Sequence, residues 1–375
     1  MTRICHVTSI HKGYDTRIFL KECRSLAKAG YDVKLVAPHP KAEWVDGVDI
    51  VAVNRKGKGR LSRVLFFVWR VFYVALKTKS DIYHFHDPEL VPAGIILRLM
   101  GKKVIFDIHE NIARQIKSKS YLPFRLKISK LYGVVDWISA KCFFIILAEY
   151  SYEKIYSKWT KNYEIVLNMP DFDFLMPFQN TERIYNQTIE LYYVGGITFV
   201  RGIETVVIAI NELKSRGFNV IFHCVGPYEE SVMEKIKAIP EFEQVKNDIH
   251  FYGAKRLDLA LEMSKKCHIG LSILLPIENY LESYSTKIFE YMAIGLPVIT
   301  SNFELYRKVI EKHECGFCVD PNDPVLLADK IEYFATHNNA ISEMGKNGIA
   351  AAKAHYNWKH EEEKLLNLYS KVLFQ

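Results

Sequence analysis

The sequence of 375 residues contains no apolar run of the roughly 20 residues that a membrane-spanning helix needs. Its opening residues, MTRICHVTSIHKG, hold too short an apolar run for a secretory signal. It also lacks a short-period repeat and the composition typical of collagen or of disordered chains. The expectation is therefore a globular protein of the cytoplasm.

The cysteines do not form a metal-binding or disulfide pattern. Seven of them are scattered along the chain, mostly in apolar contexts, which is typical of reduced, buried thiols. Cys315 and Cys318 have metal-type spacing, but no second pair of Cys or His stands nearby to complete four ligands. No zinc site is predicted from this motif.

Size and charge indicate the number of domains and the kinds of ligand that the protein can bind. The length indicates two domains, and 49% hydrophobic with 25% charged residues predicts sizeable cores. A net charge of +7 suits a polyanionic ligand or an anionic membrane surface. Nucleic acid is not a predicted partner, because no motif for it is present.

Strand-like and helical segments alternate through both halves of the chain, which predicts two doubly wound α/β domains with a cleft between them. We expect an N-terminal domain over 1–175, a second domain over 176–355, and a helix over 356–375 that packs back on the first. Two polar clusters, His86 to Glu89 and Ile108 to Asn111, follow predicted strands of the first half. That edge of an open α/β sheet is where ligands bind, although a single histidine there is as often structural.

The stretch Ile277 to Pro297 carries the strongest functional signal. Its polar segment Ser283 to Lys287 is typical of a helix start, and the N-terminus of a helix after a parallel strand is a phosphate site. Glu282 before the helix and Glu290 inside it can accept hydrogen bonds from sugar hydroxyls. Arg201, after the glycines that follow the strand Ile189 to Val194, can bind a diphosphate with two hydrogen bonds. A nucleotide-sugar site is predicted.

Two segments combine basic and apolar residues, near 55–79 and 113–130. In the first, Phe66, Phe67, Trp69, Phe72 and Tyr73 lie between two basic clusters. One interpretation is a core helix, and the other is an interfacial helix on an anionic membrane. In the second segment, 113–130, the ordinary interpretation of the basic residues is a solvated charged face.

The glutamate pair Glu282 and Glu290, followed by YMAIGLPVI, resembles the signature of retaining family-4 glycosyltransferases of the GT-B fold, of the bacterial polysaccharide-biosynthesis type. Weaker matches in chain order extend the resemblance over nearly the whole chain. These are Asp15 to Phe19, His86 to Leu90, Asp107 to Glu110, Val194 to Gly202 and Cys315 to Pro321.

The resemblance implies roles for particular residues. Glu290 would hold the ribose and Glu282 the donor sugar, with the backbone of Tyr284, Ser285 and Thr286 on the diphosphate. His109 matches the family's active-site histidine, and Gly13, Asp15, Arg17 and Asp87 would contact the acceptor. Relatives often have an arginine directly after the glycine of this loop and a lysine five residues later. Here Gly196 stands at the first of these positions and Arg201 at the second, so one cation is missing, and Lys287 can compensate for it.

The activity implied is transfer of a sugar, with retention, from a nucleotide-diphosphate sugar to a saccharide or lipid-linked saccharide in cell-surface polysaccharide biosynthesis. No metal or other cofactor is expected, because a helix N-terminus with Arg201 and Lys287 can stabilise the leaving diphosphate. A covalent intermediate on Glu282 stays open as an alternative. Two other functions also stay open: a nucleotide-sugar epimerase of the same fold, and a binding protein without chemistry.

Overall fold

A computed structural model describes residues 1–54, 66–118 and 122–374. The chain forms two compact units. The first unit comprises Met1–Asn168 and Trp358–Gln375, and the second comprises Met169–Asn357. The sequence-based boundaries were 175/176 and 355/356.

The first unit contains an eight-stranded sheet in the order β3-β4-β2-β1-β5-β6-β7-β8. All neighbouring strands are parallel except the antiparallel edge pair β3 and β4. The strands are β1 Arg3–Val7, β2 Asp32–Ala37, β3 Glu43–Val45, β4 Val48–Ala52, β5 Ile82–Phe85, β6 Lys103–Ile108, β7 Phe144–Leu147 and β8 Tyr163–Ile165.

Helices cover this sheet. They are Arg24–Lys28, Val68–Lys77, Val91–Leu99, Ile112–Ser118, Arg125–Cys142, Tyr150–Tyr156 and Trp358–Phe374, with a π-helix Ile18–Cys23 and a 3-10 turn Pro88–Leu90. Side chains alternate between the two faces of a strand, so Ile4 and Cys5 lie in two different hydrophobic cores. Because apolar side chains on both faces are buried, the strands are continuous hydrophobic runs rather than alternating ones.

The last helix completes the first unit. Leu365, Leu368, Tyr369 and Val372 are buried in the same core as Ile4. At the start of that helix, Trp358 Nε1 donates a hydrogen bond to Ser25 Oγ at 2.9 Å. The chain therefore returns to the first unit after the second is complete.

The second unit contains a six-stranded parallel sheet in the order β11-β10-β9-β12-β13-β14. Its strands are β9 Thr188–Val194, β10 Asn219–Val225, β11 Ile249–Phe251, β12 Ile269–Ser272, β13 Val298–Ser301 and β14 Gly316–Val319. Its helices are Phe172–Leu175, Ile203–Ser215, Glu230–Lys237, Phe242–Val245, Leu257–Ser264, Glu278–Leu281, Thr286–Ala293, Glu304–Ile310, Pro324–Thr336 and Asn338–His355, with 3-10 turns Met176–Phe178 and Phe199–Arg201.

Both sheets reverse their strand order about the first strand of the unit, which is the arrangement of a doubly wound Rossmann-like domain. The predicted α/β class with two such domains is confirmed. The sequence missed several short elements, among them β3 and the helices Glu230–Lys237, Leu257–Ser264 and Glu304–Ile310. After β1, the π-helix Ile18–Cys23 is followed directly by the short α-helix Arg24–Lys28.

Candidate functional site

The topology itself indicates where each unit would bind a ligand. In a doubly wound sheet, a crevice opens beyond the carboxyl ends of the two strands at which the strand order reverses. In the first unit those strands are β1 and β5, and in the second they are β9 and β12. The loops after these four strands contain most of the predicted site residues.

The loop after β9 brings a glycine pair and an arginine together. Gly195 has a φ of 137°, a conformation that side chains rarely adopt. Arg201 Nη1 donates a hydrogen bond to the carbonyl oxygen of Gly196 at 3.2 Å, and the Tyr193 hydroxyl donates to the same oxygen at 2.7 Å. A Cβ at Gly196 would lie 3.2 Å from Arg201 Nη1. The guanidinium is therefore held against the backbone of this loop.

Lys287 also lies against this glycine pair. A Cβ at Gly195 would lie only 2.7 Å from Lys287 Cε, and the ammonium stands 5.6 Å from the ring centroid of Tyr193. Burial lowers the pKa of Lys287 to about 8; the charge of Arg201 lowers it further, and that of Glu290 opposes both. Two cationic side chains thus lie against one loop, and together they would attract an anion there.

The helix Thr286–Ala293 begins beside these cations. Its N-cap residue, Ser285, makes no capping hydrogen bond with its side chain. Instead the buried Ser285 hydroxyl lies 2.9 Å from Ser272 Oγ at the end of β12. The serine therefore anchors the helix to the strand, and its hydroxyl does not occupy the space in front of the first backbone N–H groups.

The two glutamates take the positions that the sequence predicts relative to this helix. Glu282 ends the short helix Glu278–Leu281, and Glu290 lies inside Thr286–Ala293. Both are partly exposed. The hydrophobic side of the second helix is buried through Ile288, Phe289, Tyr291 and Met292. Tyr284, between the glutamates, packs its ring edge-on against Phe289 at 5.1 Å between centroids.

In the first unit, Asp87 organises the loop after β1. Its Oδ2 accepts hydrogen bonds from Thr8 Oγ1 at 2.9 Å, from the Ser9 backbone N–H at 2.6 Å and from Ser9 Oγ at 3.2 Å. Asp87 is almost fully buried. This carboxylate ties the ends of β1 and β5 together. Farther along the loop, Gly13 packs so closely on His39 that a Cβ would lie 2.5 Å from His39 Nδ1.

Asp15 ends this loop and starts the next helical segment. Its Oδ1 accepts the backbone N–H groups of Arg17 and Ile18, both at 2.9 Å, and its Oδ2 lies 2.9 Å from His11 Nδ1. Although burial lowers the pKa of His11, its hydrogen bond to Asp15 and the charge of Asp87 raise that pKa above its ordinary value. At this edge His11 is thus a partly exposed imidazole whose protonated form is favoured.

His109 follows β6 and contacts two buried groups. Its Nε2 lies 3.1 Å from Asp107 Oδ2 and 3.1 Å from His86 Nδ1, and its side chain keeps 18% of its surface exposed. Burial lowers the pKa of His86 to about 4. The His11 ring stacks on His109 with 5.5 Å between centroids. His109 is the exposed end of a polar network that continues into the unit.

Arg17 lies inside that network. Its Nε and Nη2 donate to the two oxygens of Asp107 at 2.9 and 3.1 Å, and Nη2 also donates to the Val166 carbonyl at 3.0 Å. Only 3% of the residue is exposed. The structure therefore separates Arg17 from the partly exposed Asp15 and His109, with which the sequence grouped it.

The two basic and aromatic segments are only partly described. Residues 55–65 and 119–121 lie outside the described residues, and the first segment continues as the helix Val68–Lys77. Phe67 and Phe72 are buried in the core, as the core-helix interpretation expects, and so are not available to a membrane. Phe66, Trp69 and Tyr73 are exposed at helical spacing and form one face. Within the described ranges, no helix is both long and apolar enough to cross a bilayer.

The cysteines are free thiols, five of them buried and two, Cys142 and Cys318, partly exposed. Cys315 and Cys318 take no part in any group of potential metal ligands among the described residues.

Several side chains in or beside these sites were missed from the sequence. Tyr193, Ser272 and His11 each follow or end a strand at the ligand-binding edge, and that position is the signal that could have found them. Arg183 gave no such signal. It is buried and donates to the carbonyl oxygens of Ser264, Lys265, Cys267, Ile294 and Gly295, which makes it a structural clamp of the second unit.

Comparison with known proteins gives two family matches. A family model described as "Glycosyltransferase Family 4" matches residues 16–141, and one described as "Glycosyl transferases group 1" matches residues 178–351. The capsular polysaccharide biosynthesis glycosyltransferase CapM of Staphylococcus aureus is 22% identical over 200 residues, covering 51% of this chain and 48% of CapM. The alignments span less than half the length of the first curated relatives.

Solved structures are similar over the whole chain at low identity. Sucrose-phosphate synthase from Thermosynechococcus elongatus has a TM-score of 0.78 and 16% identity, with 100% of this chain and 99% of that one covered. HepE from Anabaena, solved with UDP and glucose, has a TM-score of 0.71 and 13% identity over 99% and 100% of the two chains. The two Rossmann-like units thus match two family models in chain order, Glycosyltransferase Family 4 over residues 16–141 and Glycosyl transferases group 1 over residues 178–351.

Proposed function

We propose that this protein transfers a sugar from a nucleotide-diphosphate sugar to a hydroxyl of a saccharide or lipid-linked saccharide, with retention at the anomeric carbon. The observation that carries the proposal is the convergence of Arg201 and Lys287 on Gly195 and Gly196, next to the start of the helix Thr286–Ala293. Two cations, a closely approachable backbone and a helix N-terminus are the groups that a diphosphate requires.

These groups would also stabilise the leaving group of the reaction. Negative charge develops on the nucleoside diphosphate as its bond to the sugar breaks, and fixed donors aimed at that charge lower the barrier. Arg201 is held by the Gly196 carbonyl, so little reorganisation is needed when the charge forms. The proposed reaction uses no metal at the diphosphate, and the leaving phosphate takes the proton of the acceptor hydroxyl.

The glutamates are assigned to the sugar parts of the donor. Glu290 lies one helical turn beyond Lys287 and would accept hydrogen bonds from the ribose hydroxyls, while Glu282 would orient the transferred sugar. The presence of UDP and glucose in the HepE structure supports a nucleotide-diphosphate sugar as donor. Tyr284, Ser285 and Thr286 contribute backbone N–H groups to the diphosphate.

The first unit is assigned to the acceptor. Gly13, Asp15 and Asp87 shape the loop after β1, and His109 is its exposed catalytic candidate. The match to a capsular polysaccharide glycosyltransferase supports a role in cell-surface polysaccharide biosynthesis.

We place the protein at the inner face of the cell membrane as a peripheral protein of the cytoplasm. The exposed face of Phe66, Trp69 and Tyr73 supports this, since it also presents Arg70 and Lys77. Aromatic rings in the headgroup region and cations on anionic lipid are the two contributions that interfacial helices use.

A thermal-shift screen of nucleoside diphosphates tests the donor site first, because any ligand that binds only the folded state raises Tm. We expect one base to give the largest shift and its nucleotide sugars to be consumed with a lipid-linked acceptor. No shift with any nucleoside diphosphate contradicts the proposal. Incubation with donor alone followed by sugar analysis separates transfer from epimerisation.

A further inference from the structure

A compact cluster of three histidines and one glutamate lies fully buried in the first unit. His6 comes from β1, His84 and His86 from β5 and the residue after it, and Glu22 from the π-helix Ile18–Cys23. None of these four side chains reaches solvent. One ligand-type atom from each lies within 4.8 Å of all the others. Only His86 among them was considered from the sequence, because the four residues are distant in the chain.

Three of these atoms form a nearly symmetric triangle. Glu22 Oε2 lies 3.9 Å from His6 Nδ1 and 3.9 Å from His86 Nε2, and the two nitrogens are 3.0 Å apart. The centre of such a triangle lies about 2.1 Å from each corner, which is the bond length of Zn²⁺ to histidine nitrogen and carboxylate oxygen. The spacing therefore suits a single small cation, whose binding would replace the hydrogen bond between the two nitrogens.

Atoms of the same cluster are left without hydrogen bonds. Neither oxygen of Glu22 accepts a hydrogen bond, and His84 Nε2 takes part in none. Arg17 Nε lies 3.0 Å from Glu22 Oε1, which supplies charge there but leaves Oε2 facing the two imidazoles. A buried polar atom without a partner destabilises the folded state, and an unpartnered buried carboxylate does so more strongly. A ligand at the centre would satisfy Glu22 Oε2 and His84 Nε2 together.

The outer nitrogens of the histidines already have partners. His6 Nε2 and His84 Nδ1 lie 3.2 and 2.8 Å from the Tyr369 hydroxyl, and His86 Nδ1 lies 3.1 Å from His109 Nε2. Histidines that bind a metal through one nitrogen usually place the other against a fixed polar group, which sets the tautomer. His84 Nε2 then has no hydrogen-bond partner, and His6 Nδ1 and His86 Nε2 have only each other, so these three nitrogens are the ones available to an ion.

We propose that His6, Glu22, His84 and His86 bind one divalent transition metal ion, with Zn²⁺ as the expected occupant. Three imidazoles and a carboxylate are ligands that suit zinc, and four protein ligands fill a tetrahedral shell, so the site is structural and leaves no position for substrate. It is separate from the proposed diphosphate site, which lies in the second unit. The ion joins β1, β5 and the π-helix beneath His109 and so positions that residue through His86.

The first test is the metal content of the full-length protein, purified without a polyhistidine tag and exchanged against buffer. We expect about one equivalent of zinc per chain by mass spectrometry of the acid-digested protein. X-ray absorption at the zinc edge should show only nitrogen and oxygen neighbours at about 2.0 to 2.1 Å. A protein that stays folded without metal and takes up none from added Zn²⁺ overturns the proposal, as does a sulfur shell.

Variants then locate the ion. Glu22→Gln keeps the size of the side chain and His84→Gln removes a ligand, and each should reduce bound zinc at least about tenfold. His223→Gln is the matched control, because His223 lies in the second unit in a separate group with Glu190 and Cys267, and both of its ring nitrogens are already hydrogen-bonded. Equal zinc in wild type and Glu22→Gln, or loss of zinc only in the control, overturns the assignment. If both ligand variants fail to fold, the wild-type metal content and absorption spectrum still decide.

Discussion

Arg201 and Lys287 lie on different elements of the second unit, yet both lie against the pair Gly195 and Gly196. The resemblance to family-4 glycosyltransferases predicts a cation at the position where the sequence has Gly196. Lys287 reaches that loop from the helix that follows the next strand of the sheet. At the scale of single residues, a charge missing from one loop is present on a neighbouring element.

Replacing Arg201 tests the diphosphate contact directly. Arg201→Ala should weaken the binding of a nucleotide-diphosphate sugar by about 1.5 to 3 kcal/mol, or roughly ten- to a hundredfold in Kd, because it removes a charge-assisted hydrogen bond. Isothermal titration calorimetry measures the change.

Arg216→Ala is the matched control for this variant. Arg216 lies at the opposite end of the helix Ile203–Ser215 and pairs with Asp329 and Glu332, both at 2.7 Å. Its loss should leave donor affinity unchanged. Equal affinity in wild type and Arg201→Ala would remove Arg201 from the donor site.

Glu290→Gln separates a binding role from a structural one. The amide keeps the shape of the side chain but accepts hydrogen bonds from ribose hydroxyls less strongly than a carboxylate does. We expect weaker nucleotide binding, by about tenfold, in a protein with an unchanged Tm. The same change at the exposed Glu304 should alter neither quantity. A large fall in Tm for Glu290→Gln, measured by calorimetry, would indicate a structural carboxylate instead.

The sequence shows which residues follow the strands, but not the directions in which their side chains point. Asp15, Asp87 and His109 follow strands and meet at one edge, as expected for parallel strands. Arg17 is two residues from Asp15, yet it points into the unit and pairs with Asp107, because a buried carboxylate on β6 competes for it. The cluster of His6, Glu22 and His84 depends on contacts between distant segments, which no local pattern reveals.

At the scale of elements, the helix Thr286–Ala293 contributes both its first backbone N–H groups and Lys287. The sequence predicted its start correctly, since a polar run followed by an apolar face is a local signal. The sequence predicted that Lys287 could replace the missing cation, but its close contact with Gly195 depends on the packing of this helix beside β9. The lowered pKa of the lysine is a consequence of that packing.

Donor binding should therefore depend on pH in a way that identifies Lys287. With a pKa of about 8, the lysine is charged below that pH and loses its proton as the pH rises. Bound diphosphate stabilises the charged form, so affinity for a nucleotide sugar should fall by up to about tenfold between about pH 7.5 and 9.5. Lys287→Arg should flatten this profile, because a guanidinium stays protonated. An unchanged slope in Lys287→Arg would assign the titration to another group.

The helix Val68–Lys77 fits both interpretations that the sequence left open, a core helix and an interfacial helix. Its buried side packs Val68, Val71, Phe72 and Ala75 in the core. Its other side exposes Trp69 and Tyr73 to solvent. One face of the helix therefore belongs to the core, and the other face is available to contact a membrane surface.

At the scale of the whole molecule, that face predicts reversible membrane binding. The wild-type protein should sediment with anionic liposomes at low salt and less so at high salt, because part of the attraction is electrostatic. Replacing Phe66, Trp69 and Tyr73 by serine should reduce the bound fraction about tenfold.

Trp44→Ser is the control for membrane binding. Trp44 is as exposed as Phe66, at 73%, but lies on the edge strand β3 rather than on this helix. Its replacement should leave sedimentation unchanged. Equal loss in Trp44→Ser, or no binding by the wild type at low salt, would contradict the membrane assignment.

The return of the chain to the first unit has a consequence for synthesis. Leu365, Leu368 and Tyr369 belong to the same core as β1, although more than 350 residues separate Ile4 from Leu365. A ribosome adds roughly 5 to 20 residues each second, so the N-terminal strands wait many seconds for the helix that covers them. The second unit, whose residues are contiguous, can close its core earlier. The part of the chain made first is therefore the last to become fully native.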